Sequence, residues 1–257
     1  MARYHRYKPA PCRDPQQWAI FLLDVLGFRA LLKGEGLHEV HEIYVNLMSY
    51  ITTRGSTVIV HPEPGGVLDV YPWYFSDTML FAAPYGQNTI GQFLDECAEI
   101  VCHCIESAIP VRGAIAVGEA LPDYQAGEFL GVPLVEVAEA EEGSQWLGVS
   151  LGPSFEDPTL RGLLENEKVL RFSNHVKEGR ESCFSGLVLD WPRHWRLSRD
   201  SDVIETLGLL DPSDKHRHYY DVTRELIAAS ASANPNPKNE RPTRLAIHMT
   251  HGLLNEE

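Results

Sequence analysis

An acidic residue at the end of a long apolar run is the feature that most restricts the fold. Residues 17–28 are almost continuously apolar, and Asp24 and the pair Gly27–Phe28 lie at the end of the run. Such a run is typical of a strand buried on both faces of a sheet. An ionised carboxylate there is costly unless it is paired or bound to a metal. The sequence therefore predicts a central strand that ends at an acidic functional group.

The segments after this run alternate between helical and strand patterns. The predicted elements are, in order, a helix over 37–53, a hairpin over 67–84, a helix over 89–108 and a strand over 111–120. Strand, helix, hairpin, helix, strand is the split βαββαβ order of ferredoxin-like folds. We therefore predict an α+β fold in which the first strand and the hairpin lie together centrally. Asp77 falls near the hairpin turn, so this topology brings Asp24 and Asp77 together.

Weaker patterns accompany this core. They predict a short strand over 57–61, a helix over 134–147, strands over 167–172 and 184–191, a helix over 215–230 and a loop over 231–242. The chain has 257 residues, and 44% of them are hydrophobic, enough for a substantial core. We place a catalytic domain at residues 15–192 and a C-terminal extension, packed on or near it, at residues 193–257.

Charge and apolar-run length restrict the expected partners. The formal charge of −14 argues against nucleic-acid binding, which needs a basic face. No run of 18 apolar residues and no secretory signal is present, so we expect a cytoplasmic protein without a membrane partner. Five cysteines without CxxC spacing indicate reduced thiols. Cys102-His103-Cys104 fits a buried helix better than a metal site.

Asp24 and Asp77 predict a site for divalent cations. Two carboxylates at one sheet edge repel each other, and a divalent ion removes both the repulsion and the cost of burial. Oxygen ligands without nearby cysteine or histidine favour Mg²⁺ or Mn²⁺, which bind through one or two carboxylates plus substrate phosphates. The backbone amides of Gly27 and Phe28 are then candidates for binding a triphosphate, with no Cβ at Gly27 to obstruct it.

Three motifs occur in a fixed order with a predicted helix between each pair. They are LLDVLGF at 22–28, FSDT at 75–78 and RGAIAVGE at 112–119. Together they resemble the catalytic domains of class III nucleotidyl cyclases over about residues 17–150. The resemblance implies that Asp24 and Asp77, with the carbonyl of Val25, bind two Mn²⁺ or Mg²⁺ ions. It also implies that Arg112 lies near the nucleotide.

Ser76 before the second aspartate and the Arg-Gly-x-Ile order most resemble the bacterial pyrimidine cyclases of the Pycsar antiphage systems. This likeness implies conversion of UTP to 3′,5′-cyclic UMP and pyrophosphate as a defence signal. Cyclic CMP from CTP is the alternative product. It further implies a homodimer with composite sites and a separate effector that the cyclic nucleotide activates.

Departures from the family pattern bear on the substrate and on catalysis. Trp73 stands where purine cyclases carry a base-reading Lys or Glu, which favours a pyrimidine pocket. Glu136 and Ala140 stand where the family carries an Asn and an Arg that act on the ribose and the transition state. Their absence leaves open a non-catalytic nucleotide-binding module of the same fold. Tyr50 is a candidate pocket residue, with a helix-end core aromatic as the alternative interpretation.

A different two-metal nucleotide enzyme, such as a polymerase-like or diguanylate-cyclase-like domain, is a further alternative. Such domains usually carry a second carboxylate beside the one in the hairpin, and the sequence has no GG(D/E)EF-like run.

Overall fold

The computed structural model describes residues 16–34, 36–55, 70–86, 89–123, 128–158, 160, 168–210 and 216–235. The strands are β1 Gln16–Val25, β2 Tyr71–Phe75, β3 Thr78–Pro84, β4 Val111–Asp123, β5 Glu128–Gly131, β6 Gly148–Leu151, β7 Val169–Arg171 and β8 Leu187–Leu189. The helices are α1 Phe28–Gly34, α2 Leu37–Gly55, α3 Ile90–Glu106, α4 Val132–Glu142, α5 Trp191–Ser198, α6 Val203–Gly208 and α7 Arg217–Ala233. The predicted α+β class is confirmed.

The strands form one mixed sheet in the order β2-β3-β1-β4-β6-β8-β7, with β5 paired to β4. Strand β1 is antiparallel to both β3 and β4. Helix α2 connects β1 to the hairpin, and α3 connects the hairpin to β4. The predicted ferredoxin-like βαββαβ unit is therefore confirmed. The hairpin is not wholly central, because β2 pairs only with β3 and forms an edge among the described strands.

Both faces of β1 are buried, which explains its nearly unbroken apolar sequence. Ala19, Phe21, Leu23 and Val25 join one buried cluster, which also holds the apolar residues of α3. Trp18, Ile20 and Leu22 join a second cluster with Val137 and Ala140 of α4. Side chains alternate along a strand, so Asp24 belongs to the α4 face of the sheet.

Several element boundaries differ from the sequence prediction, and two of them affect the site. Strand β1 ends at Val25, so Gly27 lies in a turn and Phe28 begins α1. Helix α4 ends at Glu142 rather than at 147, because the amide of Gln145 bonds to the carbonyl of His175 instead of continuing the helix. Residues 148–151 then form β6, whose four residues are all buried. The strand predicted over 57–61 lies outside the described residues.

The last helices share the core of the sheet. Leu207 of α6 and Leu226 of α7 belong to the same buried cluster as β1 and α3. The domain boundary predicted at residue 192 falls inside α5. Within the described part of the chain, no helix is both long enough and apolar enough to cross a membrane.

Candidate active site

Asp24 and Asp77 lie at the same end of the sheet. Asp24 is the penultimate residue of β1, opposite Thr78 of β3 and Arg112 of β4. Asp77 lies in the turn that joins β2 to β3, and its carbonyl accepts a hydrogen bond of 3.0 Å from the amide of Val25. The strand pairing thus brings together two acidic residues that are 53 positions apart, as the sequence predicted.

The turn before Asp77 has a backbone conformation that few residues adopt readily. Ser76 has a φ of 58°, in the left-handed region. A residue with a Cβ is strained there, whereas glycine is not. Ser76 therefore adopts this conformation at a cost in stability.

Arg112 faces Asp24 across the strand pair and is held by groups at the end of α4. Its Nη2 lies 3.9 Å from Asp24 Oδ2, and its Nε makes an ion-pair contact with Glu141 Oε1. Its Nη1 donates to the carbonyl of Ser144 at 3.0 Å. Asp24, Arg112 and Glu141 are all largely buried, with side chains between 15% and 21% exposed. Glu141 was not among the residues predicted from sequence.

Asp24 is a carboxylate in an environment short of positive charge. Burial raises the pKa of Asp24 from 3.8 to about 6, and the negative charges of Glu141 and Asp77 add to this rise. The guanidinium of Arg112 opposes it without cancelling it. A bound cation would favour the ionised form of this carboxylate, since opposite charge lowers a carboxyl pKa.

Tyr44 of α2 has a buried hydroxyl near these carboxylates. The hydroxyl oxygen has no hydrogen-bond partner among the described residues. Its ring packs against that of Phe28, with the ring centroids 5.4 Å apart. Burial raises the pKa of Tyr44, and the charges of Asp77 and Asp24 raise it further. A buried hydroxyl without a protein partner usually bonds to water or ligand.

These residues fit a hydrated divalent cation. Two carboxylates suit Mg²⁺ or Mn²⁺, which keep several of their waters in proteins. A water on such an ion would give the hydroxyl of Tyr44 a hydrogen-bond partner. In the described segments no group of three or more His, Cys, Asp or Glu side chains is placed to hold a metal, so a site here has to rely on Asp24, Asp77 and backbone oxygen.

Gly27 follows β1 in the left-handed conformation, with a φ of 76°. Its carbonyl accepts from the amides of Ala30 and Leu31 and so begins α1. A Cβ at this position would meet nothing within 4 Å. Gly27 is therefore needed for its backbone conformation, and its predicted role in leaving space for a triphosphate stays a prediction.

Trp73 lies on the sheet face that carries Asp24. It pairs with Leu80 of β3, and Leu80 pairs with Leu22, two residues before Asp24 on β1. The indole packs edge-on against Phe129, with the ring centroids 5.5 Å apart. Trp73 is therefore two strands from Asp24 on the same face of the sheet.

Tyr50 takes part in a charged network between α2 and α3. Its hydroxyl donates to Glu99 at 2.5 Å, and its ring stacks on His103 with the centroids 3.5 Å apart. Glu99 also pairs with Arg199 and His194. These contacts tie Tyr50 to α3 and involve neither Asp24 nor Asp77, which favours the alternative interpretation as a helix-end aromatic. Its role in a pocket stays a prediction.

The two α4 positions expected to carry catalytic side chains have other contacts. Glu136 Oε1 accepts a hydrogen bond of 2.7 Å from the amide of Ser154, and Ala140 is fully buried against the sheet. Glu141, the next residue, is the one that reaches Arg112. Its position in a run of acidic residues gave no sign of this contact, since Glu139 and Glu142 look the same in sequence.

Comparison with known proteins gives a likeness in fold only. No protein-family model matches the chain, and no curated protein matches it. Among 31 matching solved chains is the crystal structure of the catalytic core of a rhodopsin-guanylyl cyclase with converted specificity in complex with ATPalphaS. It is 11% identical, with a TM-score of 0.45, over 64% of this chain and 90% of that one. The fold assignment above rests on this chain's own strand order.

Proposed function

We propose that this chain is a metal-dependent nucleotidyl cyclase, a phosphorus–oxygen lyase that acts on a nucleoside triphosphate. The observation that carries the proposal is the meeting of Asp24 and Asp77 at one end of the sheet with Arg112 beside them. The raised pKa of Asp24 and the unpartnered hydroxyl of Tyr44 both support a cation at this place.

The proposed reaction is an in-line attack of the ribose 3′-oxygen on the α-phosphorus, with pyrophosphate as the leaving group. Two divalent ions, when bound, lower the pKa of the 3′-hydroxyl and neutralise the phosphates. Asp24 and Asp77, with the carbonyl of Val25, would hold these ions. Arg112 presents a positioned positive charge, which stabilises negative charge that develops on phosphate oxygens. The amides at Gly27 and Phe28 would bind the triphosphate.

For the base, we propose a pyrimidine, with UTP preferred over CTP. Trp73 lies on the face that carries Asp24, and an indole cannot make the charged contact that a Lys or Glu makes with a purine edge. A bulky ring there also narrows the space beside the sheet. The product would be 3′,5′-cyclic UMP, acting on a separate effector in antiphage defence. Cyclic CMP remains the alternative.

We propose a homodimer with composite sites as the active form. Val132 and Val135 of α4 are each at least 60% exposed, although they are apolar, and they lie three residues apart on the helix. Helix α4 packs through Val137 and Ala140 on the sheet face that carries Asp24. Exposed apolar side chains grouped in this way are typical of protein interfaces. A second copy of the chain covering them would lie near the face that carries Asp24.

The test is incubation of the purified protein with each of the four nucleoside triphosphates and Mn²⁺. Mass analysis of the products and an assay of pyrophosphate release are the measurements. We expect cyclic UMP as the main product. Cyclisation of ATP or GTP at least as fast as either pyrimidine would contradict the base assignment and leave the metal site standing.

A non-catalytic nucleotide-binding module is a second candidate, favoured by Glu136 and Ala140 at the positions expected to carry Asn and Arg. It predicts saturable binding of a nucleotide and Mn²⁺ with no release of pyrophosphate. Calorimetric titration alongside the product assay separates the two functions, since only the cyclase consumes the nucleotide.

A further inference from the structure

The guanidinium of Arg112 stands between two carboxylates, and its contacts with them are unequal. Nε touches Glu141 Oε1, whereas Nη2 stays 3.9 Å from Asp24 Oδ2. An arginine and a carboxylate that approach each other without restraint form two parallel hydrogen bonds, each shorter than about 3 Å. The longer separation shows that the guanidinium of Arg112 lies closer to Glu141 and makes no direct hydrogen bond to Asp24.

The groups that hold Arg112 belong to one well-anchored corner of the fold. Besides Glu141, the carbonyl of Ser144 accepts from Nη1 at 3.0 Å. The hydroxyl of Ser144 donates to the carbonyl of Ala140 at 2.8 Å and shares a hydrogen bond of 3.0 Å with the hydroxyl of Ser150 on β6. Ser144 also forms a β-bridge with Val176. The end of α4 is thus tied to the sheet, and Arg112 is tied to the end of α4.

We propose that Glu141 is a positioning residue that holds Arg112 away from Asp24, so that the Asp24 carboxylate stays open to a divalent cation. Without the charge of Glu141, the guanidinium would close on Asp24 and compete with the metal for its oxygens. This inference rests on the metal site of the proposed function. It concerns binding of the cation and makes no use of turnover.

The first experiment measures Mn²⁺ affinity from the free-ion EPR signal, without nucleotide. Glu141→Gln keeps the shape of the side chain and removes its charge, and we expect a dissociation constant raised about 10-fold. Glu142→Gln is the matched control, because it makes the same change on the next residue, whose side chain is 67% exposed and pairs with Arg180. We expect less than a twofold effect from the control.

A double-mutant cycle tests whether Glu141 acts through Arg112. In an Arg112→Met background no guanidinium is left to close on Asp24, so adding Glu141→Gln should change Mn²⁺ affinity less than twofold. An undiminished 10-fold loss in that background would show that Glu141 acts on the metal by itself. That outcome would overturn the proposal, as would equal effects of Glu141→Gln and Glu142→Gln.

A metal-free measurement gives a second, independent outcome. In the wild-type protein, removing the charge of Asp24 by Asp24→Asn relieves an unfavourable carboxylate, so the urea midpoint should rise. In Glu141→Gln, the same substitution would break a newly closed ion pair and leave Arg112 uncompensated, so the midpoint should fall. A rise in both backgrounds overturns the proposal. Loss of Mn²⁺ affinity as expected, together with no turnover on any nucleotide, would contradict the proposed function and leave this inference standing.

Discussion

At the scale of single residues, the burial of Asp24 is a cost to the fold. Asp24 is largely buried beside Glu141 and Asp77, and its pKa of about 6 shows that the ionised form is disfavoured in the folded protein. Carboxyl groups whose pKa values are shifted in this way cluster at functional sites. Asp77 adds a backbone contact, since its carbonyl ties the hairpin turn to Val25.

Removing either carboxylate should abolish turnover without unfolding the protein. We expect Asp24→Ala and Asp77→Ala to retain no more than a few per cent of the cyclase rate, since metal-binding side chains are lost. The melting temperature should not fall much, because like-charge repulsion is relieved. Asp95→Ala, which removes an exposed carboxylate that pairs with Lys168, is the control. Substantial activity in either site variant would contradict the two-metal assignment.

Ser76 allows a test of backbone strain in the turn. At its φ of 58°, glycine is free of the strain that any Cβ introduces. We expect Ser76→Gly to be more stable than Ser76→Ala by about 1 kcal/mol, measured by urea unfolding without metal. The alanine variant is the matched comparison, since both changes remove the hydroxyl. Equal stabilities would show that the turn carries no strain at this residue.

At the scale of elements, the end of α4 depends on residues 173–177, which pack against it. The carbonyl of His175 accepts from the amide of Gln145, and Lys177 donates to the carbonyl of Glu142. The ring of His175 is 1% exposed and stacks on Trp146 with the centroids 4.1 Å apart. This segment therefore helps to fix the α4 corner that holds Arg112.

His175 should make the fold sensitive to acid. Burial lowers the pKa of His175 from 6.5 to about 3. Between these values the unfolded chain binds a proton that the folded protein does not, so stability present above pH 6.5 is lost as the pH falls. At pH 5 this residue lowers the free energy of unfolding by about 2 kcal/mol.

His175→Phe is the test, since neither ring nitrogen has a hydrogen-bond partner among the described residues. Between pH 7 and pH 5 the free energy of unfolding of the variant should fall by about 2 kcal/mol less than that of the wild type. Urea unfolding at both pH values is the measurement. His218→Asn, on the exposed surface of α7, should behave as the wild type does. Parallel losses in the wild type and His175→Phe would mean that the acid sensitivity lies elsewhere.

At the scale of the whole molecule, the proposed dimer predicts that activity depends on protein concentration. Val135→Asp places a charge in the exposed apolar pair Val132 and Val135 of α4, and we expect light scattering to show a monomer with activity at least tenfold lower. Leu209→Asp changes another exposed apolar side chain, far along the sequence, and should stay dimeric. A fully active monomer in the wild type would exclude composite sites.

Local pattern was enough to predict the framework of the molecule. The apolar run that became β1, the period of α2 and α3, and the two halves of the hairpin are properties of short segments. The rules of strand connection then predicted that Asp24 and Asp77 come together. Element ends were less predictable: α4 stopped five residues early because the backbone of Gln145 bonds to His175 of another segment, whereas the apolar periodicity continues past Glu142.

The sequence by itself thus determined the core elements and the pair of acidic residues, because burial imposes a period that can be seen within one segment. Only the tertiary structure decided which of the four glutamates of α4 meets Arg112, that the Tyr44 hydroxyl has no partner among the described residues, and that Tyr50 bonds to Glu99. Each of these depends on the distance between side chains of different elements. That distance is set by how helices pack on the sheet, and it cannot be predicted from the residue pattern of any one helix.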